Sequence, residues 1–230
     1  MADESLVVAS ARPWNRGMVG ELGRRTGRVV HHVGSREEFT APLLHRLAPR
    51  WVFVPHWSWL IPADIHERFE VVIFHMTDLP YGRGGSPLQN LSVRGHDRTK
   101  VTAIRCVEAM DAGPVYLKRD LSLHGSAEEV FLRASRVITE MMVELVVEEP
   151  KPVPQRGEAV DFQRRRPEDG DLTAAASLDE AYDLIRMLDA EGYPHAYLDV
   201  GPLRLQFRRV TRRSDGLHAD VHIVERPGDG

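Results

Sequence analysis

Short apolar runs alternate with helical periodicity over the first half of the chain. Ser5-Leu6-Val7-Val8-Ala9-Ser10-Ala11 reads as a buried strand, followed by a Pro13-Trp14-Asn15-Arg16-Gly17 loop and a helix over 18–25. A second strand spans 29–33. Ser35-Arg36-Glu37-Glu38 has capping-box spacing and predicts a helix through Leu43, Leu44 and Leu47 that ends before Pro49. Trp51-Val52-Phe53-Val54 and Glu70-Val71-Val72-Ile73-Phe74 form the third and fourth runs.

Strands alternating with helices predict an α/β fold, Rossmann-like, with a doubly wound, mostly parallel sheet. Ligands of such sheets lie beyond the carboxyl ends of the strands, which directs attention to Pro55-His56-Trp57-Ser58-Trp59 and His75-Met76-Thr77-Asp78. Residues 101–107 and 115–117 read as an antiparallel pair around Met110-Asp111-Ala112-Gly113. A second capping box, Ser126-Ala127-Glu128-Glu129, opens a long amphipathic helix with Val130, Phe131, Ala134, Val137, Ile138, Met141 and Leu145 on its buried face.

After Glu149 the pattern changes. Pro150, Pro152 and Pro154 stiffen a linker, and Ser177-Leu178-Asp179-Glu180 caps a helix to about Ala190. Alternation in Leu203-Arg204-Leu205-Gln206-Phe207 and Ala219-Asp220-Val221-His222-Ile223 then suits a small antiparallel sheet. The expected organisation is a catalytic-sized domain over 1–150 and a linker with a small C-terminal α+β appendage over 151–230.

Composition narrows the function class. Of 230 residues, 42% are hydrophobic and 28% charged, which excludes a mainly disordered chain or a disulfide-rich miniature. Lys and Arg number 30 against 34 Asp and Glu, so the net charge of -4 gives no global attraction to nucleic acid. One cysteine, Cys106, allows neither an internal disulfide nor a thiolate zinc site, and His31-His32 has no ligand spacing around it, so no metal is expected. No apolar run approaches the roughly 20 residues of a membrane span. Met1-Ala2-Asp3-Glu4 lacks a cationic signal-peptide start, and a cytoplasmic protein without membrane or nucleic-acid partners is expected.

The densest chemistry lies in Phe74-His75-Met76-Thr77-Asp78-Leu79-Pro80-Tyr81-Gly82-Arg83-Gly84-Gly85-Ser86-Pro87. Three glycines within four positions permit close backbone approach. A histidine at the head of such a loop suits general acid–base work.

These residues resemble the formyltransferase family. Its strand-end motif runs Asn-x-His-x-Ser-x-Leu-Pro, then a short Arg-Gly stretch and Pro, with a later Asp-x-Gly. Here His75-Met76-Thr77-Asp78-Leu79-Pro80, Arg83-Gly84-Gly85-Ser86-Pro87 and Asp111-Ala112-Gly113 stand in that register. Asp183-Leu184-Ile185-Arg186-Met187-Leu188, leading to Tyr193-Pro194, is similar to the appendages of sugar formyltransferases. The resemblance implies 10-formyltetrahydrofolate as co-substrate and donor, and a small-molecule primary amine as acceptor. It implies that His75 serves the oxyanion and Asp111 orients it and takes a proton. A nucleotide-linked amino sugar is the expected acceptor; an amino-acid or natural-product amine, or a non-catalytic folate- or nucleotide-binding relative, are the alternatives. A possible homodimer is expected, and the appendage is short for a tRNA formyltransferase.

The family's asparagine falls on Ile73, which cannot donate a hydrogen bond. His56 at the preceding strand end is the first substitute and Asn90 the second. Trp57 and Trp59 either sandwich a pterin or fill core. The donor-binding candidates are Trp57, Arg83, Gly84, Gly85 and Ser86. Arg164, Arg165, Arg166 and Arg204, Arg208, Arg209, Arg212, Arg213 form local basic clusters, either solvated faces or phosphate contacts.

Overall fold

The computed structural model describes residues 5–226; residues 1–4, on which the signal-peptide reading rests, lie outside the described residues. The elements in chain order are β1 (Leu6–Ala9), α1 (Arg16–Thr26), β2 (Val30–Val33), α2 (Ala41–Leu47), β3 (Trp51–Pro55), α3 (Ala63–His66), β4 (Val71–His75) and β5 (Tyr81–Gly84). There follow α4 (Pro87–Ser92), β6 (Arg98–Arg105), β7 (Val115–Ser122), α5 (Ala127–Glu148), β8 (Val160–Phe162), α6 (Leu178–Arg186), β9 (Ala196–Val200), β10 (Leu203–Arg213) and β11 (Gly216–Glu225).

Cα packing divides the chain into two compact units, each discontinuous in sequence: Met1–Gly84, Thr99–Leu121 and Phe131–Asp161 form the first, and Gly85–Arg98, Ser122–Val130 and Phe162–Gly230 the second. The main sheet has the order β2-β1-β3-β4-β6-β7. β1 pairs in parallel with β2 and β3, and β3 with β4, while β6 runs antiparallel to β4 with His75 opposite Thr102. The parallel strands β1, β3 and β4 are almost wholly buried apolar runs, as expected of strands covered on both faces. Register places Pro55 beside Phe74, so His56 and His75 are the next residues of neighbouring strands. In the second unit, α6 lies with a three-stranded antiparallel sheet, β11-β10-β9, over a core of Leu184, Ile185, Leu188 and Ala196.

Two local expectations change. The Ser35 box forms its bonds, with Glu38 N–H reaching Ser35 Oγ and the Glu38 carboxylate accepting from Gly34, yet no helix follows until Ala41. Pro42 explains this: it has no N–H to continue a ladder, but fits the first turn of a helix that starts beside it. On α5, Val137 is only half-buried, while Met142 is buried beside Val130, Phe131, Ala134, Ile138, Met141 and Leu145. The Ser126 box does open that helix, with reciprocal bonds between Ser126 and Glu129.

Candidate active site

His75 closes β4 and is 7% exposed. Its Nε2 lies 2.7 Å from the Gly82 carbonyl. A carbonyl only accepts, so this nitrogen carries a proton. Nδ1 faces Asp111 Oδ2 at 3.6 Å, inside ion-pair range but long for a hydrogen bond. Thr77 Oγ1 donates to the same Gly82 carbonyl, and Thr102 Oγ1 donates to the Thr77 carbonyl at 2.6 Å. The turn through Gly82, at φ +79°, is thereby tied to β4 and β6.

Asp111 arrives from the β6–β7 connection in the left-handed region, φ +50°, where Asp is among the few tolerated non-glycine residues. Its Oδ2 also accepts the Gly84 N–H at 2.9 Å. Gln155, which no sequence motif marked, holds this turn: its Nε2 donates to the carbonyls of Asp111 and Gly113, and its Oε1 accepts from Arg83 Nε and Nη2. The Arg83 guanidinium therefore braces the loop. Beside this turn, burial and then the Asp111 charge push the Cys106 thiol up to about 11, which keeps it protonated and inert at neutral pH.

His56 follows β3 at φ +53° and belongs to a second cluster. Trp14 and Phe131 meet its ring edge-on, at centroid distances of 6.1 and 5.5 Å, and Asn15 Nδ2 approaches Nδ1 at 3.3 Å. Nε2 is buried without a hydrogen-bond partner. None of the described hydrogen bonds joins His56 to His75 or Asp111. Burial, then the Arg12 charge, lowers its pKa to about 4. Unfolded histidine titrates near 6.5, so the unfolded chain takes the proton first as pH falls. Stability should be intact above about pH 6.5 and decline as pH drops towards about 4, by on the order of 3 kcal/mol. His56→Asn, which tolerates positive φ, should flatten that part of the curve in denaturant titrations. Identical slopes for both proteins would assign the acid sensitivity elsewhere.

Trp57 packs edge-on with Phe39 and Trp59 against the core that Ile73 also joins. In the second unit, Gly85 lies against Arg164: a Cβ there would sit 2.7 Å from the Arg164 Cβ and 2.9 Å from its Cα. Ser86, at φ +51°, accepts the Arg165 N–H. Asn90 spends its amide N–H groups on the carbonyls of Gly85, Ser86 and Gln163, and its Oδ1 accepts from Arg94, so it is a staple. Arg204, Arg209 and Arg212 pair with Asp199, Asp220 and Asp179. Among the described residues no cluster could hold a metal ion, and no helix is long and apolar enough to cross a membrane.

Residues 167–224 match the methionyl-tRNA formyltransferase C-terminal domain. The chain is similar to the methionyl-tRNA formyltransferase of Thermodesulfovibrio yellowstonii, 27% identical over 62% of this chain and 49% of that one. It spans about half the length of the curated relatives it matches. Among solved structures it is similar to HypX from Aquifex aeolicus in complex with tetrahydrofolic acid, with TM-score 0.78 and 16% identity over 98% of this chain and 45% of that one, a likeness of fold alone. A methionyl-tRNA formyltransferase from Clostridium thermocellum superposes with TM-score 0.94 and 42% identity, covering 96% of this chain and 99% of that chain. A likeness that holds over both chains almost end to end is one of family as well as fold, and this chain belongs to the formyltransferase family.

Proposed function

We propose that the protein transfers a formyl group from 10-formyltetrahydrofolate to a primary amine of a small metabolite, an amino sugar carried on a nucleotide. The observation that supports the chemistry is the pairing of buried His75 with half-buried Asp111, with Nδ1 and Oδ2 at 3.6 Å. Attack of the amine on the formyl carbon forms one C–N bond and leaves an anionic oxygen and a positive nitrogen. Breaking the old C–N bond needs a proton taken from the first nitrogen and delivered to the second. Asp111 accepts that proton, directly or through water. Because Nε2–H is held by the Gly82 carbonyl, His75 serves the oxyanion through Nδ1–H in its protonated form. His56 supplies the donor that Ile73 lacks, and Trp57, Arg83 and Gly84 are the first unit's candidates for the walls of the folate site.

The acceptor reading draws on charge. The chain is acidic overall, and three arginines of the cluster over 204–213 are already paired with carboxylates, which weakens the case for that cluster as a tRNA contact. The second reading, methionyl-tRNA, is favoured by the match over residues 167–224 and by the names of the similar proteins. The test is formyl transfer from 10-formyltetrahydrofolate to nucleotide-linked amino sugars, amino acids and methionyl-tRNA, compared by kcat/KM. The amino sugars should turn over best. Turnover of methionyl-tRNA alone would replace the acceptor, turnover of amino acids alone would move it to simple amines, and folate binding without any transfer would leave a non-catalytic relative.

A further inference from the structure

At the carboxyl ends of β1 and β3, a buried amide is held from both sides. Asn15 is 2% exposed. Its Oδ1 accepts from Ser135 Oγ at 2.5 Å, while its Nδ2 donates to Ser10 Oγ at 2.8 Å and reaches His56 Nδ1 at 3.3 Å. An amide N–H can only donate, so Nδ1 must offer a lone pair, and a neutral imidazole then carries its single proton on Nε2. That nitrogen is buried and has no hydrogen-bond partner. A buried donor left without a partner is an exception that needs a reason, and a ligand's acceptor is one such reason. Arg12, the charged group beside the ring, bonds Ser58 and lies over Trp14, where it opposes a second proton on His56.

We propose that Asn15 is a positioning residue: locked by Ser135 and Ser10, it fixes His56 as the Nε2–H tautomer and presents an uncharged N–H donor, next to the end of β4, to the formyl oxygen. The role assigned to the donor rests on the formyl-transfer reading; the tautomer does not. A residue that merely packed would need the shape of asparagine, whereas this one needs its amide to point one way. Pro55 opposite Phe74 brings His56 and His75 to adjacent strand ends, where Ile73 leaves no amide.

Imidazole ¹⁵N spectra of the full chain test this, with His56 assigned by the signals lost in His56→Asn. At pH 7 His56 should show the Nε2–H tautomer. Asn15→Asp keeps the shape but replaces the donor with an acceptor, and should move the proton to Nδ1. Asn15→Leu should give a tautomer mixture. 5-Formyltetrahydrofolate, a stable formyl folate, should shift the His56 Nε2–H resonance in the wild type. In turnover both variants should lose about tenfold or more in kcat, with donor KM changed less than about threefold. A wild-type Nδ1–H tautomer, an unaltered tautomer in Asn15→Asp, a resonance silent to the folate, or unchanged kcat in both variants would each overturn the proposal. Absence of transfer to any amine by the wild type would count against the formyl-transfer reading alone, and the spectra would still decide for or against Asn15.

Discussion

His75→Ala and Asp111→Asn should each lower kcat by about 10²-fold or more while leaving the protein folded. Asp111→Asn is the sharper test. Asparagine is the side chain best suited to the φ of +50° at this position, and its amide can still accept the Gly84 N–H through oxygen. What it cannot do is accept a proton as a carboxylate does, or set a negative charge 3.6 Å from His75 Nδ1. Removing His75 deletes the proposed oxyanion donor and frees the Gly82 carbonyl, but Thr77 Oγ1 continues to hold that carbonyl.

The double variant carries more information than either single one. If the pair works as one unit, His75→Ala combined with Asp111→Asn should lose little more than the worse single variant. Two independent contributions would instead multiply, to about 10⁴-fold. Near-native turnover in either single variant would remove the pair from the mechanism.

The alternation of apolar runs made the parallel part of the sheet legible, because β1, β3 and β4 are buried on both faces and so read as continuous hydrophobic stretches. The end of β4 at His75 and the turn at Asp111 were legible through motif register, and the structure sets their side chains facing each other. Gln155 was not legible. It bonds to Asp111, Gly113 and Arg83 across 42 to 72 residues of chain, and a lone glutamine after a proline-rich linker carries no local signal of such a role. Asn15 was read as loop for a similar reason: its buried state depends on Ser135, 120 residues away. The Ser35 box shows the reverse failure, since the local hydrogen bonds formed while Pro42 governed where the helix began. The arginine clusters left two readings open, solvated faces or phosphate contacts, because sequence lists cations without their partners; the structure pairs Arg204, Arg209 and Arg212 with Asp199, Asp220 and Asp179.

Gly113→Ala should be the most damaging small substitution near the site, although it adds a single methyl group. Its backbone is not among those held at positive φ, so the constraint is space and not conformation. A Cβ on Gly113 would lie 1.8 Å from the Arg105 carbonyl oxygen and 3.0 Å from its carbon. Both belong to the backbone at the end of β6, where the Arg105 N–H is bonded to the Pro114 carbonyl and the Cys106 N–H to the Val71 carbonyl. Neither side can yield by rotating a side chain. Relief must come from moving the turn that carries Asp111, which breaks the bonds from Gln155 to the Asp111 and Gly113 carbonyls, or from pulling β6 out of register beside β4. Either course costs about 3 kcal/mol or more. For a chain of this size that corresponds to a fall in Tm of roughly 6–12 °C. Turnover should fall with it even well below the new Tm, because the displaced turn no longer holds Asp111 against His75. Ala112→Gly, one residue earlier in the same turn, adds no atom and should cost far less. The measurement is Tm and kcat for both variants side by side; a Gly113→Ala protein with wild-type Tm and wild-type kcat would mean that the contact between this turn and Arg105 does not hold Asp111 in place.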